Sequence, residues 1–313
     1  MHVAVIGTGR VGRPTAYTLL HEPYIEELSV VDIKPGLARA FAEELKHAAV
    51  SLRRDIEIHA YENDEDLSGA DIIIVCAGYP RKPGEKISRR DLVHRNSEII
   101  KFIAEVVSPR NRGARYVIVT NPVDAMATLF KKISKETFVI STGTHLETLR
   151  FKAKLAEVLK VPFSAISGFV GGEHGENAVM LWSTVRVNGL SLNEFEKEHN
   201  IKVNRNQVEE YVKGISRKII EAIGATEYGP ASAFRDIIRG IAINTDVILS
   251  ISIPLKFNEI PEEVHVSVPV KIGKIIDYSF YDVLTLEEKK GIIEAAKAIY
   301  NTYRKACELL GIN

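Results

Sequence analysis

The first half of the chain alternates short apolar segments with segments whose apolar residues recur every three or four positions. The short segments are rich in valine and isoleucine, which is typical of strands buried on both faces of a parallel sheet. The segments between them are predicted amphipathic helices. The predicted strands are His2–Gly7, Leu28–Ile33, Asp71–Gly78, Tyr116–Thr120 and Phe138–Ser141, and the predicted helices are Val11–Leu20, Leu37–Val50 and Leu92–Val107.

This order of elements predicts an α/β fold with a doubly wound parallel sheet. The pattern changes after about residue 143, where long helical segments, a glycine-dense segment and alternating strands follow one another. We therefore predict a first domain at residues 1–142 and a second, α+β domain at residues 143–313. The second domain's predicted helices are Leu146–Leu159, Asn206–Ile223, Ala231–Ile251 and Leu286–Leu310, its predicted strands are Val179–Val187 and Val264–Val270, and its glycine-dense segment is Ser167–Gly175.

Composition and charge narrow the class of protein. The 41 basic residues balance the 41 acidic residues, so no global attraction to nucleic acid or a membrane surface is predicted. No apolar run reaches the roughly 18 residues that a membrane span needs. Cys76 and Cys307 are too few for a disulfide scaffold or a multi-thiolate metal site, and the strand pattern that begins at His2 leaves no room for a leader peptide. We predict a soluble cytoplasmic protein without a bound metal.

A glycine-rich motif follows the first predicted strand. Gly7-Thr-Gly-Arg-Val-Gly12 opens a predicted helix, and Asp32 ends the second predicted strand, twenty residues past Gly12. This spacing is typical of dinucleotide sites of the Rossmann type, in which the loop approaches a pyrophosphate and the acid binds the adenosine ribose. The charge of Asp32 would repel a 2′-phosphate, which favours NAD over NADP, although Lys34 lies nearby.

Three further segments place reactive side chains where an open parallel sheet binds ligands, past the carboxyl ends of its strands. The third strand continues into a loop with two glycines, two prolines and five cations, at residues 77–91. The fourth strand ends in Asn121-Pro-Val-Asp124, and the second domain contains Gly171-Gly-Glu-His-Gly-Glu176. A histidine between glycines is poorly explained by core packing.

Together these segments resemble the lactate/malate dehydrogenase family over essentially the whole chain. The resemblance rests on seven motifs in order: GTGRVG at Gly7–Gly12, AGYPRKPG at Ala77–Gly84, RRDL at Arg89–Leu92, NPVD at Asn121–Asp124, GTHLETLR at Gly143–Arg150, GGEHGE at Gly171–Glu176 and ATEYGP at Ala225–Pro230.

The resemblance implies a hydride transfer between NAD and a 2-hydroxy acid. It implies that His174 is the general acid and base, that Arg89 polarises the substrate carbonyl, and that Arg150 clamps the C1 carboxylate. Asn121, whose bond to Pro122 we expect to be cis, and Thr226 would complete the substrate site. The implied cofactor contacts are Gly7, Thr8, Gly9, Arg10, Val11, Gly12, Asp32, Ala77, Gly78, Asn96, Val119, Asn121 and Pro230.

Arg81 indicates the substrate. In this family, an arginine at the position accompanies malate-type substrates and a glutamine accompanies lactate-type substrates. A second carboxylate in a dry pocket needs a countercharge, because a buried unpaired charge costs several kcal/mol. The implied substrate is therefore a small dicarboxylate, and (S)-malate with oxaloacetate is favoured over lactate. The resemblance also implies a homodimer or homotetramer, with Leu37–Val50 and Ala231–Ile251 as candidate contacts.

Two features depart from the family pattern. The carboxylate that orients the catalytic histidine is usually aspartate, but Glu147 occupies that position here, and Glu176 is a rival partner. The loop between Gly84 and Arg89 is two residues longer than usual, so Arg90 is an alternative to Arg89.

Three other functions compete with a malate dehydrogenase. A lactate or broader 2-hydroxyacid dehydrogenase would share most of the motifs. An NAD- and manganese-dependent glycosidase would need a cysteine and a histidine converging on a metal, which the two cysteine positions argue against. A non-catalytic nucleotide-binding module would leave four residues without a role: His174, Arg89, Arg150 and Asn121.

Overall fold

The computed structural model describes residues 1–79, 88–276 and 278–312, without the side chains of Arg89 and Tyr278. Its strands are β1 His2–Ile6, β2 Glu27–Val31, β3 Glu57–Tyr61, β4 Ile72–Val75, β5 Arg115–Ile118, β6 Val139–Ser141, β7 Ile166–Gly172, β8 Ala178–Val187, β9 Leu190–Ser191, β10 Ile248–Leu255, β11 Val264–Lys271 and β12 Tyr278–Ser279. Its helices are α1 Gly12–Leu19, α2 Leu37–Ser51, α3 Arg89–Val106, α4 Val123–Ser134, α5 His145–Leu159, α6 Leu192–Glu198, α7 Arg205–Ile223, α8 Tyr228–Ile243 and α9 Leu286–Leu310.

The first six strands form a parallel sheet in the order β3-β2-β1-β4-β5-β6. The chain starts in the middle of this sheet, builds outward to β3 and then continues from β4 on the other side. This confirms the predicted doubly wound sheet. The carboxyl ends of β1 and β4 therefore lie side by side, at the point where the strand order reverses and ligands bind in such folds.

The second half of the chain continues the same sheet with antiparallel strands. β10 pairs with β6 at Ser252 and Ser141, and β11, β7, β8 and β9 follow. One hydrophobic core runs under both halves and includes residues of α8, α9, β10 and β11. A second, smaller cluster lies among α5, β7, β8, α6 and α7.

The chain passes from β6 to α5 through packed backbone. Thr144 N–H donates to Ser267 Oγ at 3.0 Å, and its hydroxyl donates to the Val170 carbonyl. No exposed linker therefore separates the two halves at this point. The domain boundary expected between residues 142 and 143 stays a prediction.

The sequence prediction was wrong at Ala231–Ile251, which we expected to form one helix. The helix ends at Ile243, Asn244 adopts a left-handed conformation with φ 51°, and β10 begins at Ile248. A short apolar segment such as residues 247–251 does not by itself distinguish a helix from a buried strand. The prediction also missed β3 and α4, because β3 is an edge strand with a half-exposed face and α4 is buried over most of its surface.

None of the helices in the described ranges is long and apolar enough to cross a membrane.

The buried residue His265 makes folding sensitive to acid. Its Nε2 lies 2.9 Å from the Val139 carbonyl oxygen and its Nδ1 lies 3.2 Å from Thr128 Oγ1. Burial lowers the pKa of His265 to about 4, from an ordinary value of 6.5. At pH values between about 4 and 6.5, His265 therefore binds a proton in the unfolded chain but not in the folded protein.

We predict that His265 destabilises the folded protein as the pH falls from about 6.5 to about 4. Its contribution to the loss in the free energy of unfolding should approach about 3 kcal/mol. Urea unfolding at a series of pH values measures this slope. His265→Gln should flatten the slope in this window, whereas His47→Gln, at an exposed position of α2, should leave it unchanged. Equal slopes for both variants would contradict the prediction.

Candidate active site

The glycine-rich loop lies between β1 and α1 and contacts the end of β4. A Cβ atom on Gly12 would lie 1.8 Å from the Gly7 carbonyl oxygen, so only glycine allows this approach. A Cβ on Gly9 would meet nothing within 4 Å, which leaves its outer side open to a ligand. The loop thus has the close packing on one side and the free space on the other that a pyrophosphate at a helix N-terminus requires.

Asp32 follows β2 and faces this loop. Its Oδ2 accepts hydrogen bonds from Thr8 N–H at 2.8 Å and from Thr8 Oγ1 at 3.0 Å. Its Oδ1 accepts a hydrogen bond from Lys34 N–H at 3.0 Å. The carboxylate is thereby fixed beside the glycine-rich loop, where the ribose of a dinucleotide is expected.

Asn96 joins the ends of two parallel strands beneath the predicted cofactor site. Its side chain is buried, accepts a hydrogen bond from Tyr79 N–H at 2.7 Å, and donates to the Asn121 carbonyl at 2.6 Å. The Asn121–Pro122 bond is cis, which confirms the expectation from the sequence. The Asn96 side chain therefore links the backbone segment that follows β4 to the backbone segment that follows β5.

A cavity of about 160 Å³ lies between the glycine-rich loop and helices α5, α7 and α8. All five predicted catalytic and substrate side chains that the structure describes line it. Predicted residues that line it are Val11, Val119, Asn121, Glu147, Arg150, His174, Thr226 and Pro230. Residues that the sequence analysis did not assign to the site are Val123, Thr142, Gly143, Leu146, Gly175, Val212, Lys213, Ser216 and Phe234.

His174 lies in the tight connection between β7 and β8. Gly172 has a φ of +84°, and a Cβ there would lie 2.6 Å from the Asn177 carbonyl oxygen, so glycine is required for this turn. The ring Nδ1 lies 3.0 and 3.1 Å from the two carboxylate oxygens of Glu147. Glu176 is exposed on the same connection. Glu147 is therefore the carboxylate that orients the ring.

The pair of Glu147 and His174 sets the charge of the imidazole. Burial is the largest influence on the pKa of His174 and lowers it, but the charge and hydrogen bond of Glu147, together with the charge of Asp124, raise it to about 9. Burial would raise the pKa of Glu147, yet the net direction is downward because of the charge and hydrogen bond of His174. The pair is thus a carboxylate beside an imidazolium near neutral pH. The His174 side chain is 27% exposed, towards the cavity.

Asp124 is a second buried carboxylate behind the histidine, and the sequence analysis gave it no role. Its Oδ2 accepts a hydrogen bond from His174 N–H at 2.9 Å, and its Oδ1 accepts one from Ser141 Oγ at 3.0 Å. Burial raises the pKa of Asp124 to about 6. This side chain therefore ties the backbone of His174 to α4 and β6.

Arg150 lies on α5, one helical turn after Glu147. Its Nη1 lies 3.6 Å from Glu147 Oε1, and its side chain is 12% exposed. Burial lowers the pKa of Arg150 and the charge of Glu147 opposes this effect. A guanidinium that lines the cavity beside the histidine can bind a carboxylate through two parallel hydrogen bonds.

The structure describes only some of the arginine side chains of the loop that follows β4. Arg81 lies outside the described residues, and so does the side chain of Arg89, whose backbone starts α3. The helix begins there because Ser88 Oγ accepts a hydrogen bond from Asp91 N–H at 3.1 Å. Arg90 is exposed, and the choice between Arg89 and Arg90 stays open.

Among the residues that the structure describes, no group of three histidine, cysteine or acidic side chains is arranged to hold a metal.

We predict that Glu147→Gln lowers the pKa of His174, because the neutral amide no longer stabilises the imidazolium. Asp124→Asn should lower it less, since Asp124 contacts the backbone of His174 and not its ring. Nuclear magnetic resonance titration of the His174 ring measures both shifts. Glu176→Gln removes a carboxylate from the same connection and serves as the control. An equal shift in the control would argue that the overall charge, and not the contact, sets the pKa.

Comparison with known proteins agrees with this geometry. Residues 1–138 match the lactate/malate dehydrogenase NAD-binding domain, and residues 144–308 match the family's α/β carboxyl-terminal domain. A malate dehydrogenase of Sulfurisphaera tokodaii is 41% identical over 97% of this chain and 95% of its own. An L-lactate dehydrogenase of Acetivibrio thermocellus is 36% identical over 87% of this chain and 86% of its own.

Solved structures share the fold. The crystal structure of a lactate dehydrogenase from a deep-sea metagenome library covers 97% of this chain and 98% of its own, with a TM-score of 0.90 and 25% identity. A malate dehydrogenase structure from Salinibacter ruber covers 99% of both chains, with a TM-score of 0.88 and 23% identity. The chain therefore belongs to the lactate/malate dehydrogenase family, and its cofactor is NAD.

Proposed function

We propose that the protein is an NAD-dependent malate dehydrogenase that interconverts (S)-malate and oxaloacetate, with His174 as general acid and base. The contact that supports the dehydrogenase chemistry and the role of His174 is the bond between His174 Nδ1 and the buried carboxylate of Glu147. It leaves Nε2, the other ring nitrogen, as the nitrogen available for proton transfer. Arg150 lies on the same cavity and supplies the cation that a 2-hydroxy acid needs.

Positively charged side chains near the site favour malate, which has two carboxylates, over lactate, which has one. Arg81 of the sequence would bind the second carboxylate, as the resemblance implies. Lys213 of α7 also lines the cavity and adds a positive charge there. The malate dehydrogenases of Sulfurisphaera tokodaii and Sulfolobus acidocaldarius, at 41% and 40% identity, support the same substrate.

In malate oxidation, His174 accepts the proton of the C2 hydroxyl at Nε2. Glu147 holds the ring through Nδ1 and stabilises the imidazolium that forms. Arg150 binds the C1 carboxylate, Arg89 polarises the C2 oxygen, and Asn121 and Thr226 orient the substrate. NAD held by the glycine-rich loop Gly7–Gly12 and Asp32 would supply the hydride acceptor for C2, and NADH would supply the hydride in the reverse reaction. Oxaloacetate reduction uses the protonated form of His174.

An L-lactate or broad 2-hydroxyacid dehydrogenase is the second candidate. The lactate dehydrogenase of Acetivibrio thermocellus, at 36% identity, favours it. The histidine, its carboxylate and Arg150 would serve that reaction equally well, so the substrate's C3 group is what separates the two.

We also propose a cytoplasmic homodimer or homotetramer. Most of the apolar residues of α2 and α8 are buried within the chain itself, among them Phe41, Leu45, Phe234 and Ile237. A contact between copies would therefore use other parts of these helices, and sedimentation equilibrium measures the state.

We predict that kcat/KM for oxaloacetate exceeds that for pyruvate, and that Arg81→Gln reduces the preference at least tenfold by removing the countercharge of the second carboxylate. Steady-state kinetics with NADH measure both values. Lys82→Gln removes a neighbouring cation as a control and should change the preference little. A preference of the unmodified protein for pyruvate would favour the second candidate.

We predict opposite pH profiles for the two directions. Malate oxidation needs neutral His174, so its kcat/KM should rise with pH towards about 9, and oxaloacetate reduction needs the protonated ring and should fall above that pH. His174→Asn should lower both rates by about 10²–10⁴-fold and remove this ionisation. Profiles that retain it in the variant would assign the ionisation to another group.

A further inference from the structure

The turn between β2 and α2 lies where the adenosine ribose of a dinucleotide is expected. NADP differs from NAD by a phosphate on the 2′ oxygen of this ribose. A phosphate in this turn would be bound by backbone N–H groups and by guanidinium or ammonium groups. The turn contains such donors, namely the N–H groups of Lys34 and Gly36 and the guanidinium of Arg39, in the first turn of α2.

Carboxylates of this chain already bind these donors. Lys34 N–H donates to Asp32 Oδ1 at 3.0 Å. Gly36 N–H donates to Glu62 Oε1 at 2.6 Å, and Arg39 Nη2 lies 3.3 Å from Glu62 Oε2. Glu62 therefore binds two of the donors, one through each of its oxygens.

The sheet holds Glu62 beside this turn. β2 and β3 are parallel neighbours, and Asp32 N–H donates to the Tyr61 carbonyl at 3.1 Å. Glu62 follows Tyr61 directly, so its side chain leaves the sheet next to Asp32. The Glu62 side chain is 27% exposed, while that of Arg39 is 74% exposed.

A third carboxylate adds to the negative charge of this region. Asp64 is 6% exposed, and burial raises its pKa to about 6, with a further contribution from the charge of Asp32. A 2′-phosphate would thus approach Asp32, Glu62 and Asp64, and the Lys34 and Gly36 N–H groups and the Arg39 guanidinium already bind carboxylates. The ion pair of Arg39 and Glu62 is largely exposed on the Arg39 side and stabilises the fold little.

We propose that Glu62 is a second determinant of coenzyme choice: it occupies the Gly36 N–H and the Arg39 guanidinium, which would otherwise bind the 2′-phosphate of NADP. Replacement of Asp32 alone would leave these two donors bound to Glu62. The inference concerns the NAD-binding domain and is independent of which 2-hydroxy acid the protein oxidises.

Binding of adenosine 2′,5′-bisphosphate and of 5′-AMP to the full chain, measured by calorimetry, isolates the contribution of the 2′-phosphate. Glu62→Gln should improve the ratio of the two affinities in favour of the bisphosphate by about tenfold, which corresponds to about 1.4 kcal/mol. The ratio of kcat/KM for NADPH to that for NADH should shift in the same direction. Asp32→Asn combined with Glu62→Gln should exceed either single variant.

Two controls separate the proposed role from a general charge effect. Glu44→Gln removes one carboxylate from an exposed position of α2 and should leave the affinity ratio unchanged. Arg39→Ala in the Glu62→Gln background should abolish most of the improvement, because the released guanidinium is the expected phosphate ligand. Circular dichroism checks that each variant is folded. If Glu62→Gln does not fold, Glu62→Ala replaces it and should shift the affinity ratio in the same direction.

The proposal fails if Glu62→Gln and Glu44→Gln give the same ratio, or if the improvement persists without Arg39. A protein that binds both nucleotides but does not oxidise malate would contradict the proposed function and leave this inference intact.

Discussion

The active site depends on a carboxylate and an imidazole that are held together with little access to water. Glu147 is 3% exposed, and such a charge is stable only beside a partner. His174 is that partner, and the pairing fixes the ring's orientation, its protonated nitrogen and its pKa at once. The longer side chain of glutamate does not prevent the contact, since both of its oxygens reach Nδ1.

The rest of the fold serves to keep this pair in place at the edge of the dinucleotide site. Asp124 accepts hydrogen bonds from His174 N–H and from Ser141 Oγ, so the connection that carries the histidine is fixed to the parallel sheet. Asn96 joins the segments that follow β4 and β5. The active site is therefore built by contacts between the two halves, and one continuous sheet and one large core hold these halves together.

Much of the fold could be predicted from local pattern. The five strands expected in the first half are present, because continuous Val and Ile runs are typical of buried parallel strands. β3 could not be predicted in the same way, because its edge position lets Glu57 and His59 interrupt the apolar pattern. The end of α8 depended on the backbone at Asn244, since Ile248–Leu255 is apolar enough for either a helix or a strand.

The order of residues along the chain was enough to identify the reactive groups: the glycine-rich loop, Asp32, and a histidine, an arginine and a carboxylate in recognisable motifs. Which of these groups meet was settled by the packing of the folded chain. It brought Glu147 and not Glu176 to His174, set Asp124 behind the histidine, turned Lys213 of α7 towards the cavity and placed Glu62 on the turn after Asp32. Spacing along the chain fixes contacts within one helix or strand, whereas contacts between elements depend on how their faces pack.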